Sequence, residues 1–129
     1  MSFRLFLISA VIIQGANIVF NSNLIYQEFW FLDIIMHFLG GCIVAGLIGT
    51  LLKKEGGKLR PHMFIIWLVG GTAIVGVSWE FFEWTLDHFI FTQGTFMGGL
   101  DDTLLDLLMD MAGGLLISTS FLQRRIIKK

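Results

Sequence analysis

Four apolar stretches, residues 3–20, 30–52, 64–84 and 103–122, take up most of this 129-residue chain. Each is close to the roughly 20 helical residues that cross the hydrocarbon core of a bilayer. No water is available there to satisfy a free backbone N–H or C=O, so a stretch that crosses alone has to be helical. With 55% hydrophobic residues the chain is too apolar for an ordinary soluble domain. The sequence therefore predicts an all-α fold, a four-helix transmembrane bundle forming one integral membrane domain over residues 1–129. The breaks agree with it: Asn21-Ser22-Asn23, then Lys53 to Pro61, then Thr92 to Asp102. Pro61 suits the first turn of the third helix, where its missing N–H costs nothing.

Charge fixes the expected orientation. The nine Lys and Arg residues fall at the N-terminus (Arg4), in the loop Lys53, Lys54, Lys58 and Arg60, and in the tail Arg124, Arg125, Lys128 and Lys129. Basic residues in short loops stay on the cytoplasmic side. Both termini are thus expected inside, in a multi-pass protein of the bacterial cytoplasmic (inner) membrane. The first stretch is read as a retained helix and not a cleaved signal, because Gln14 and Asn17 interrupt it and no small-x-small site follows. Nucleic acid is excluded as a partner, since the basic clusters only flank apolar segments. The single Cys42 supports neither a disulfide framework nor a thiolate metal site.

The acids behave differently. Apart from Glu55, all of them belong to the other side, and several lie inside the apolar stretches. A carboxylate within a transmembrane helix costs about 2.5–3.5 kcal/mol on insertion scales and marks a functional site by default. Asp33 and His37 share a face of the second helix at four-residue spacing. Glu80, Glu83 and Asp87 form a stripe at the end of the third. Asp102, Asp106 and Asp110 follow at four-residue steps from the start of the fourth. All three groups reach one depth in the outer half of the membrane, as do Gln14 and Asn17 of the first helix. Asp87, Asp101 and Asp102 equally fit wet interfacial positions, and acids at a helix start complement its dipole. Asp87, Asp102, Gln14 and Asn17 are therefore expected at the rim.

No Lys or Arg of the same chain reaches that depth, so a cation, a proton or a partner must neutralise the acids. They could be protonated and bonded to one another, since like charges in one site resist ionisation. Alternatively a divalent metal ion could hold them ionised, with Asp33, His37, Glu80, Glu83, Asp106 and Asp110 as the expected ligand set. Oxygen-rich sets suit Mg, Mn or Ca, and the histidine also admits Zn or Fe. Helical bundles do hold metals between carboxylates and histidines, although the usual Glu-x-x-His spacing is absent here. Glycines (Gly40, Gly41, Gly46, Gly49, Gly70, Gly71, Gly76, Gly113, Gly114) let the helices pack closely. They are expected to close the bundle below the acids, leaving a pocket open outward. Tyr26, Trp30, Trp79 and Trp84 read as an interfacial belt, and Phe89 to Leu100 as a surface flap.

Taken together, Asp33-x-x-x-His37-Phe38-x-Gly40-Gly41, Trp79-Glu80-x-x-Glu83 and Asp106-x-x-x-Asp110-x-x-Gly113 resemble the YjdF-type family of small bacterial membrane proteins. More distantly, they are similar to the VanZ-like family associated with glycopeptide resistance. The likeness covers the second to fourth helices. It implies a membrane protein of four or more helices and supports the choice of residues without naming a reaction.

Two classes of function remain open. One is a metal-dependent enzyme acting on a membrane lipid or lipid-linked substrate, with Glu80, Glu83 and Asp106 as candidate catalytic acids and one of them a general base for metal-bound water. The other is a proton-, metal- or cation-coupled transporter or binding protein, or a non-catalytic accessory subunit. Transport of a cationic small molecule by four helices would require a homo-oligomer.

Overall fold

A computed structural model describes residues 3–22, 25–52, 59–90 and 96–127. Its helices are α1 (Phe3–Ser22), α2 (Ile25–Glu28), α3 (Phe31–Leu51), α4 (Pro61–Thr85) and α5 (Leu100–Ile127). Four of them are long and apolar enough to cross a membrane, and no strand occurs among the described residues. Pro61 opens α4 as expected, behind an extended Arg60. Two features were not anticipated. The short α2 fills the break after the first span, and α4 runs on into a wider π turn, Leu86–Ile90. Residues 53–58 of the expected basic loop and 91–95 of the expected flap lie outside the described residues.

The fold is apolar on its outside. Val11, Ile12, Ile66, Ile74 and Phe81 are all at least half exposed, which suits lipid as solvent and would be a large sticky patch in water. Among the described residues, seven buried side chains are polar or charged and five are hydrophobic. Such an interior is tolerable only where each polar group finds a partner. Thr72 and Ser118 find theirs locally, donating to Leu68 O and Leu115 O at 2.8 Å.

Helix α3 is the hub: it packs most extensively on α5, then on α1 and α4. Backbone contact between α3 and α5 depends on two glycines. A Cβ on Gly41 would collide with the backbone carbonyl of Asp110, and one on Gly113 with Phe38 O and Cys42 N. The end of the bundle away from the acids is closed by Ala45, Phe64 and Leu68, with Ile48, Leu52, Leu59 and Phe121 packed around them. That plug agrees with the expected closure below the acids. Helix α1 is different, for it packs on α2 and α3, and among the described residues none of its Cα atoms lies within 8 Å of one in α4 or α5. The bundle is therefore three tightly packed helices with a fourth leaning on one of them.

Gly113→Leu should cost about 1–3 kcal/mol by overpacking, read as a lower unfolding temperature in detergent. Gly70, whose added Cβ would meet nothing within 4 Å, serves as the control, and Gly70→Ala should leave that temperature unchanged or slightly raised.

Candidate functional site

The start of α3, the end of α4 and the start of α5 meet at one end of the bundle, and His37 stands at their junction. It is 7% exposed. Its Nε2 faces Asp33 Oδ1 at 4.0 Å, Glu80 Oε1 at 3.9 Å and Asp106 Oδ2 at 3.9 Å. Its Nδ1 lies 3.3 Å from Asp110 Oδ2, within hydrogen-bond reach when Nδ1 carries the proton. Four carboxyl groups from three helices thus surround one imidazole, and the coincidence of depth expected from the sequence is realised.

The two ring nitrogens have different surroundings. Asp110, expected in one ligand set with the others, sits alone on the Nδ1 side. Its carboxylate rests over Gly76, where an added Cβ would strike Oδ2, and over Gly40, where a Cβ would sit at an ordinary 3.9 Å from Oδ1. On the Nε2 side the gaps of 3.9–4.0 Å are too wide for hydrogen bonds. Glu80 Oε1 and Asp106 Oδ1 are buried and have no hydrogen-bond partner among the described residues. Asp106 is 1% exposed and Glu80 6%. Leaving such groups unpaired costs several kcal/mol unless something else satisfies them. Asp33, His37 and Asp106 offer ligand atoms that all lie within 4.8 Å of one another.

The remaining acids are held by other partners. Glu83 is buried, and its Oε1 accepts from Trp79 Nε1 at 2.9 Å one turn back along α4. It is not among the acids within 4.0 Å of His37. Glu80 Oε2 accepts from Thr103 Oγ1 at 2.8 Å, tying α4 to α5. Asp87 accepts from the backbone N–H groups of Phe96 and Met97, at 3.0 and 2.7 Å, so it fastens the chain just before α5. Asp102 is half-buried beside Gly98, and Asp101 and Glu28 are exposed. Neither Asp87 nor Asp102 is among the acids within 4.0 Å of His37. His62 and His88 are exposed, and His88 stacks on Trp84.

Gln14 and Asn17 reach the site by a different route. They line a cavity of about 170 Å³ together with Asp33, His37 and Asp110. The cavity also includes Ala10 and Ile13 of α1 and Val75, Gly76 and Trp79 of α4. With no Cα of α1 within 8 Å of α4 among the described residues, this space is a cleft between the two helices. The sequence predicts a pocket open outward and not a through-channel; the place of the cleft between α1 and α4 follows from how α1 packs, which no residue pattern encodes.

Three further residues were missed as site partners. Thr103 and Trp79 fix Glu80 and Glu83, and the Tyr26 hydroxyl of α2 donates to Asn17 Oδ1. Burial, and then the negative charges of Asp33, Glu83 and Asp106, push the Tyr26 phenol well above its usual range, so it stays a donor.

The fold and site define a multi-pass helical membrane protein with a histidine-centred cluster of acids inside it. The chain belongs to the family of predicted membrane proteins DUF2238, whose family model matches residues 2–126. An uncharacterised protein of Thermotoga maritima is 32% identical over 91 residues, 68% of this chain and 46% of that protein. The chain therefore spans less than half of this relative's length. No solved structure matches it.

Gly76→Ala is expected to push Asp110 off His37, read as a shift of the His37 side-chain ¹⁵N resonances. Gly40→Ala should leave those resonances in place.

Proposed function

We propose that this protein holds a divalent metal ion at His37 Nε2, with Asp33, Glu80 and Asp106 as oxygen ligands, in a site facing the outside of the bacterial inner membrane. The observation that carries the reading is the pair of buried, unpartnered oxygens, Glu80 Oε1 and Asp106 Oδ1, beside an imidazole whose other nitrogen is already engaged. Metal-bound histidines usually donate their second N–H to a carboxylate, which sets the tautomer and the ring orientation. Asp110 is placed for that task, and we assign it there and not among the direct ligands. The spacing is also close to that of a ligand set. At metal–ligand distances of about 2.1 Å the neighbouring ligands of a four-coordinate ion lie about 3.4 Å apart, so the gaps of 3.9–4.0 Å from Nε2 would have to close by about half an ångström around an ion.

The ion would supply Lewis acidity and a water of lowered pKa. Glu83 is buried and held by Trp79 without being needed as a ligand, and it is the candidate general base for that water. The function that follows is metal-dependent chemistry on a lipid or lipid-linked substrate, reached through the cleft beside the site. The YjdF-type likeness supports the choice of residues and names no reaction, and the more distant VanZ-like one is left aside. A second reading, a cation-binding or transporting homo-oligomer, draws on the same acids and on the absence of any Lys or Arg within 4.0 Å of them among the described residues. A non-catalytic subunit that docks a basic partner is disfavoured by the burial of Glu80, Asp106 and Asp110.

Elemental analysis of detergent-purified protein should find about one divalent ion per chain, retained by Glu83→Gln. Asp106→Asn and Glu80→Gln should weaken binding by 10-fold or more, in line with the effect of disturbing a metal's surroundings. A wild-type protein that holds no metal, and takes up neither Mn nor Zn when supplied, contradicts the proposal. Reporter fusions in the loop Lys53–Arg60 are expected to report the cytoplasm, and an external signal there reverses the orientation.

A further inference from the structure

The cleft between α1 and α4 has a shape and a charge that the metal centre alone does not explain. Its deep part is apolar, walled by Ala10, Ile13, Val44 and Val75, while Gln14, Asn17, Asp33 and Asp110 gather at its other end. Along α3 it runs from Asp33 to Val44, about 16 Å at a rise of about 1.5 Å per residue. Between α1 and α4 the backbones stay apart, with no Cα pair within 8 Å among the described residues, and Val75 on that side is exposed. In a bilayer this opening meets hydrocarbon, so the natural filler of its deep part is an alkyl chain and not water.

The polar end decides what that chain carries. Two carboxyl groups and two amide side chains face it, and among the described residues no Lys or Arg comes within 4.0 Å of Asp33 or Asp110. A divalent ion held by Asp33, Glu80 and Asp106 would leave Asp110 outside its ligand set, so the cleft keeps a carboxyl group even beside a filled metal site. In a low-dielectric setting an anionic head would be repelled there and a cationic one attracted. Carboxylate and amide oxygens also accept hydrogen bonds, which a primary ammonium can donate.

We propose that the cleft binds a single-chain cationic amphiphile, its alkyl tail between α1 and α4 and its ammonium at Asp110 with the amides of Gln14 and Asn17. The inference rests on reading the acid cluster as a cation site, but it does not require the metal. Asp110, Gln14 and Asn17 line the cleft and stand outside the proposed ligand set, so they face it whether or not Asp33, Glu80 and Asp106 hold an ion.

Trp79 lines the cleft and is one of four tryptophans, so a variant with Trp30, Trp67 and Trp84 changed to Phe gives a local reporter. Dodecylammonium titrated into this protein in nanodiscs should change Trp79 fluorescence saturably, whereas dodecyl sulfate, with the same tail and opposite charge, should not. Asp110→Asn should weaken the response 10-fold or more. Ala10→Phe, which fills the apolar end without touching an acid, should abolish it while metal uptake stays at the wild-type level. Asp106→Asn should lose metal yet keep the response, which separates this inference from the metal reading. Equal responses to the two amphiphiles, or an unchanged response in Ala10→Phe that folds and binds metal, would overturn it.

Discussion

Everything distinctive in this structure follows from carboxyl groups on membrane-crossing helices that have one imidazole, and among the described residues no Lys or Arg, within 4.0 Å. In water such acids would be unremarked surface residues. In a bilayer each costs about 2.5–3.5 kcal/mol, and four stand around one imidazole at 3.3–4.0 Å. The helices pack so as to make that cluster possible. Gly41 and Gly113 bring α3 and α5 into backbone contact beside Asp110, and Gly76 leaves room for its carboxylate. At the opposite end Ala45, Phe64 and Leu68 close the bundle with ordinary apolar packing. Apolar packing is thus gathered at one end and the acid cluster at the other.

The imidazole organises the cluster because its two nitrogens are not equivalent. An acid on Nδ1 fixes the ring, and the opposite nitrogen is turned toward three more acids. Buried acids without partners are unfavourable in a purely structural core, and Glu80 and Asp106 each keep one such oxygen. A bundle selected only for stability would have apolar side chains there, since they pack as well and need no satisfaction. The cleft between α1 and α4 adjoins the cluster, since Asp33, His37 and Asp110 line it as well.

Much of this was legible in the residues. Asp33 and His37, and Asp106 and Asp110, are four apart and so had to share helix faces. The basic loops fixed the relative directions of the helices, and these directions put the faces at one depth. Glu80 followed from the same reasoning. What could not be read was whatever depends on packing between helices. The sequence placed six residues in one ligand set, but the side-chain directions put Asp110 on the far nitrogen and Glu83 on Trp79. The roles of Thr103 and Tyr26 were hidden because each partners a residue on another helix. The cleft between α1 and α4 was hidden because a glycine pattern tells which helices can approach closely and not which pair stays apart.

The central claim is that His37 Nε2 is a metal ligand, and electron spin-echo envelope modulation of the Mn(II)-loaded protein tests it most directly. The account predicts a ¹⁴N coupling from one directly bound imidazole, absent from His37→Gln loaded to the same level. Bound Mn(II) with no nitrogen coupling, or a coupling that survives His37→Gln, would contradict it.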